Sequence, residues 1–163
     1  MRRGSIAALM MLAACHRLTL PEARAGDLAI TSIFSPVPIV PLGRPDQADM
    51  AVYLTIDNTG DVADTLLTVT SPLAVHAMLH GASAGGGMEA MDRLTLPAHA
   101  VTRFAPGGMH LMFEGLTDTV AVGHDVPVTL IFARAGRVTI QSLVLTYAQV
   151  DAIRARGSGP NAP

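Results

Sequence analysis

Residues 49–58 read DMAVYLTIDN. Successive side chains of an extended chain point to opposite sides, so Val52, Leu54 and Ile56 fall on one face and Tyr53, Thr55 and Asp57 on the other. One face is apolar and the other mixed, which is the pattern of a strand lying on a core with its back toward water. Asn58, Thr59, Gly60 and Asp61 follow as a turn.

Working outward, the same reading predicts strands at 26–33, 64–70, 73–80, 100–105 and 109–114. A final hairpin joins 125–133 to 137–147 across Ala135-Gly136, with Val126, Val128, Leu130 and Phe132 alternating inward. Residues 35–45, SPVPIVPLGRP, carry four prolines. Proline lacks a backbone donor, so this segment is expected to be a surface loop or an edge. Short strands at even spacing, with no long helical period and no internal repeat, predict an all-β chain forming one β-sandwich with Greek-key connections.

The 163 residues suit one domain, and the formal net charge of −2 leaves no basic footprint for nucleic acid. The N-terminus reads MRRGSIAALMMLAACHRLTLPEARA. Two arginines precede an apolar run at 5–14, which suits a signal-peptide core and falls well short of the roughly 20 residues of a spanning helix. Export to the periplasm or cell envelope follows. Two cleavage readings stay open. Leu12-Ala13-Ala14-Cys15 has the form of a bacterial lipoprotein box, which would put a lipid on Cys15 as the one tie to a membrane, and Ala23-Arg24-Ala25 has the A-x-A form of ordinary cleavage. The expected organisation is a leader at 1–25, a domain at 26–148 and a flexible tail at 149–163 with at most one turn of helix.

Cys15 is the only cysteine. A domain that begins after it has no disulfide, and no thiolate for a blue-copper centre. The informative residues lie at 76–112, which hold five of the nine methionines and four of the six histidines. Thioether sulfur and imidazole nitrogen are neutral donors suited to soft Cu(I), whereas magnesium and calcium call for oxygen. Methionine as a core filler is the competing reading. In the strand at 73–80, His76, Met78 and His80 share one face. His110 and Met112 share a face of the strand at 109–114, with Met109 pointing away. The glycine-rich loop at 81–87 turns the chain so that Met88 or Met91 comes back toward His80. His76 and Met78 are read as surface and core residues respectively, Met88 and Met109 as packing or auxiliary thioethers, and His99 and His124 as solvated turn residues.

AVYLTIDNTGD at 51–61, SPLAVHAMLH at 71–80 and APGGMHLMFEGL at 105–116 together resemble the periplasmic copper chaperones of the PCu(A)C family, with its H-x10-M and H-x-M pattern. Here His80 and Met91 are separated by ten residues, and His110-Leu111-Met112 supplies the second half. The 18 residues between Met91 and His110 are fewer than the family's usual spacing. The resemblance spans 26–146. It implies a cupredoxin-like β-sandwich carrying one Cu(I) on His80, Met91, His110 and Met112. The ion would pass to a partner, either a cytochrome oxidase subunit whose copper centre is being assembled or a thiol-containing copper chaperone. No nucleophile elbow or acid–base pair is present at a recognisable spacing, so the chain is not read as an enzyme. Two other readings compete: a metal-free scaffold module of the envelope, and a copper enzyme with an N-terminal histidine brace at His16.

Overall fold

A computed structural model describes residues 18–44, 47–82 and 87–157. The expected leader core and Cys15 lie outside these residues, as does most of the glycine loop. Among the described residues the elements run β1 (Ala23–Ala25), β2 (Leu28–Pro36), β3 (Met50–Asn58), β4 (Asp64–Thr70), β5 (Ala74–Ala82), β6 (Met88–Met91), β7 (Leu94–Leu96), β8 (Ala100–Phe104), β9 (His110–Leu116), β10 (Asp125–Phe132), β11 (Arg137–Leu145) and α1 (Tyr147–Gly157). The strands are ordered β6-β5-β9-β3-β2-β11-β10-β4-β7, with β1 beside β2 and β8 beside β3. Long crossovers make neighbours of β3 and β9, β2 and β11, and β4 and β10, which gives the expected Greek-key connectivity.

β3 is the hinge of the sandwich. Its first residues pair with β9 (Val52 with Leu111), and its later ones pair with β8 (Ile56 with Thr102). The alternation holds, since Met50, Val52, Leu54 and Ile56 are all buried. They join Leu66, Leu79, Leu111, Phe113, Val128 and Leu130 in one core drawn from both layers. Asn58 closes the layer's end: its amide donates to the carbonyls of Val62 and Leu96, each at 3.0 Å. Asp64, also buried, accepts from the backbone N–H groups of Thr65, Arg134 and Ala135 and so pins the β10–β11 turn to β4.

β2 differs from expectation. It runs through Ser35 and Pro36 because a bulge lies between Thr31 and Phe34, with Ser32 at φ 54°. An extra residue in one strand reverses the facing of all that follows. Ile33 therefore enters the main core, while Phe34 turns to the opposite face and packs with Leu145 and Val150. Buried Ser35 and Ser142 satisfy each other at 2.7 Å. The proline-rich segment beyond is surface loop, with Ile39, Val40 and Leu42 exposed.

Both ends of the expected domain shift. β1 pairs with β2 (Ala23 with Ile30, Ala25 with Leu28), and Ala25 is buried, so ordered sandwich begins before residue 26. At the other end a helix of 11 residues stands where a flexible tail with one turn was expected. Its start is a capping box. Thr146 Oγ1 accepts from the Gln149 N–H at 3.2 Å, and Gln149 Oε1 accepts from the Thr146 N–H at 2.9 Å. Arg154 and Arg156 sit in the last turn, where positive charge opposes the helix dipole. Val150 buries itself against Phe34 and Leu145, and burial of such a side chain stabilises by about 1.5–3 kcal/mol.

Candidate metal centre

The centre lies on the outer face of β5 and β9. In this antiparallel ladder His76 stands opposite Glu114, Met78 opposite Met112 and His80 opposite His110. Directly opposed residues project to the same side, with Cβ atoms about 4.5–5.5 Å apart. The intervening Ala77, Leu79, Leu111 and Phe113 face the core. One strand contributes Met-Leu-His (78–80), the other His-Leu-Met (110–112), and the antiparallel register sets each residue against its like.

The His80 and His110 rings lie 5.2 Å apart, centre to centre, at an interplanar angle of 75°. His110 Nδ1 is 3.0 Å from the Gly108 carbonyl. A carbonyl only accepts, so Nδ1 is the donor in this contact, which leaves Nε2 as the nitrogen through which a neutral ring would hold an ion. The Pro106-Gly107-Gly108 turn makes this contact possible, with Gly107 at φ 81° and the Gly108 N–H donating to Ala105 O at 2.9 Å. The Tyr53 ring approaches His110 edge-on at 6.4 Å and Phe34 at 5.4 Å. Burial raises the Tyr53 phenol above its ordinary value of 10.0; nearby Tyr147 adds to this, and Arg154 opposes it.

Met91 does not join its three motif partners. It pairs with Leu79, whose side chain is buried, so its ladder position faces the core. Gly81 permits this: a Cβ there would lie 2.4 Å from Met91 Sδ, so the thioether rests directly on the glycine backbone. Met109 also packs against the core, as its strand parity predicts. Met88 is exposed beside Ala82. His76 and His124 are exposed, and His99 is solvent-facing, with its Nε2 3.0 Å from an Asp61 carboxylate oxygen. Met78, read as core from sequence, is half-buried on the outer face. Among the described residues no three His, Cys, Asp or Glu side chains come together. Next to the two imidazoles along the same face stand the thioethers of Met78 and Met112.

The profile of the LpqE-like lipoprotein family matches residues 28–144, almost the whole sandwich. The chain belongs to the LpqE-like family. Lxx21020 of Leifsonia xyli subsp. xyli, whose name describes a lipoprotein, is 31% identical over 87 residues. That match covers 51% of this chain and 52% of Lxx21020, so the chain spans about half the length of this relative. Among solved structures, the copper-bound PCuAC domain from PmoF2 is 26% identical with a TM-score of 0.66, covering 77% of this LpqE-like chain and 97% of that domain. The solution structure of Cu(I)-DR1885 from Deinococcus radiodurans is 27% identical with a TM-score of 0.57, covering 72% and 79%. The resemblance to PCu(A)C proteins and the cupredoxin-like β-sandwich it implies both hold.

Proposed function

We propose that this protein is an exported carrier of Cu(I) that takes up the ion on His80, His110 and Met112 and releases it to another protein. The single observation behind this reading is the His80–His110 pair. Two imidazoles on one tetrahedral ion, with metal–nitrogen bonds of about 2.0 Å, hold their ring centres roughly 5 Å apart. The observed separation is 5.2 Å. Met112 lies one rung away on the same face. The copper-bound state of the PmoF2 domain and the Cu(I) of DR1885 support the identity of the ion.

Met91 completes the sequence motif. It sits at the sheet edge on a four-residue strand, and its long side chain becomes a donor when it leaves Gly81 and turns outward. Ligands on an open strand face can be exchanged one at a time, which is what delivery to a partner requires. By resemblance that partner is a cytochrome oxidase subunit or a thiol-bearing chaperone. The family name and the packing of residues 20–25 support export with a lipid on Cys15, because cleavage after Ala25 would remove β1.

Anaerobic titration with Cu(I) tests the reading. Tight binding of one ion, with X-ray absorption counting two nitrogen neighbours, is the expected result. Absence of tight binding, or binding unchanged when His80 and His110 are both replaced by Ala, overturns it.

A further inference from the structure

We infer that Met78 is a thioether ligand to the carried ion, so that the folded site is the facing pair Met78-Leu79-His80 and His110-Leu111-Met112. The inference rests on the proposed copper carriage and concerns which sulfur completes it. Two successive outward-facing rungs of the ladder contribute. His80 opposes His110 and Met78 opposes Met112, with no register shift between the rungs. Residues two apart on a strand are about 6.7 Å apart, and opposed residues about 5 Å, so the four Cβ atoms form a rectangle. An ion above its centre lies roughly 4 Å in projection from each Cβ, which imidazole Nε2 and thioether sulfur both reach.

Core packing is the ordinary role of a methionine, and the structure separates the two roles. The hydrophobics packed on the main core include Met91 and Met109, but among the described residues neither Met78 nor Met112. Ala77 and Leu79, on either side of Met78, do pack there. Met78 therefore emerges half-buried on the face of the two imidazoles, opposite Met112. Two soft neutral sulfurs and two neutral nitrogens form a complete donor set for Cu(I) with no rearrangement of the β5–β6 hairpin. Met91 is then the reserve donor at the edge, on the side from which an acceptor would draw the ion.

The test compares Met78→Leu with Met91→Leu in the otherwise complete chain, both loaded anaerobically with Cu(I). Leucine keeps the volume, so the fold is retained, and a thermal melt of each apo protein verifies this. Met78→Leu should remove one sulfur neighbour from the X-ray absorption spectrum. It should also weaken affinity roughly tenfold or more, the scale that even the outer partners of a ligand command. In unmutated protein, methyl-labelled Met78 and Met112 should shift together on loading. An unchanged sulfur count and affinity in Met78→Leu, with the loss confined to Met91→Leu, overturns the assignment while leaving copper carriage intact. Loss of nitrogen neighbours in neither His80→Ala nor His110→Ala would instead overturn copper carriage itself.

Discussion

His80 and His110 are opposed residues of one ladder, and among the described residues it is His110 that the backbone orients, through Nδ1 and the Gly108 carbonyl at 3.0 Å. His110 is thus anchored at its ring nitrogen, whereas His80 meets it through a ring contact at 5.2 Å. If both rings hold the carried ion, preorganisation favours His110 as the one that holds it longer.

Each histidine should be needed for affinity and neither for folding. His80→Ala and His110→Ala are expected to weaken Cu(I) binding by roughly 10–100-fold or more, measured by competition with a chromogenic Cu(I) chelator. Both rings lie half-exposed on the outer face, so urea unfolding should shift by no more than about 0.5 kcal/mol. A large loss of stability with intact affinity would contradict this.

Gly81 and Met91 form a coupled pair. A methyl group added at Gly81 would meet Met91 Sδ at 2.4 Å and Cγ at 3.3 Å, and Gly81 is buried. Gly81→Ala should cost about 1–3 kcal/mol by overpacking. Met91→Ala in the same chain should recover part of that cost, so the double variant is more stable than the two single effects added. Strict additivity in urea unfolding would show that Met91 does not rest on Gly81.

Periodicity made the sandwich legible. The alternation of Val52, Leu54 and Ile56, and of Val126 through Phe132, survived intact because one face of each strand has only the core to pack against. The same parity placed His80, His110 and Met112 together. It could not place Met91, whose facing depends on hairpin register across the glycine loop, and register is a pairing property that no single strand carries. It read Met78 as core, whereas Met78 is half-buried on the outer face, because the choice between core and surface for a lone methionine turns on which neighbours face inward. The bulge at Ser32 and the short strand β1 left no periodic trace. The Thr146–Gln149 capping box was a readable signal for α1, but the strand pattern of 137–147 ran across it.

The N-terminal segment makes the cleavage question one of stability. Pro21 accepts from the Ile33 N–H, Leu20 packs on the Phe34 cluster, and β1 adds three paired residues. A chain beginning at His16 should be more stable to urea than one beginning at Gly26 by about 1–3 kcal/mol, from lost burial and ladder bonds. Mass spectrometry of the mature protein from membranes should accordingly find Cys15, lipid-modified, as the first residue. A mature chain beginning at Gly26 with full stability would refute this.

Tyr53 offers a reporter beside the site. Burial is the largest cause of its raised value, followed by Tyr147, with Arg154 opposing. The fold disfavours the phenolate and so holds this proton more tightly than the unfolded chain does. Its stabilising contribution is therefore complete below pH 10.0 and is lost as pH rises through the raised value. The chain has two tyrosines, so Tyr147→Phe leaves Tyr53 as the only phenol to follow by ultraviolet absorbance. Its midpoint should lie above 10.0 in the folded protein and return to 10.0 in denaturant, because burial outweighs the neighbour removed. Neutral donors leave a bound Cu(I) with its single positive charge, and the Tyr53 ring is 6.4 Å from that of His110. A cation on that side favours the phenolate, so loading should move the Tyr53 midpoint downward. An upward shift, or none, would place the ion elsewhere than on His110.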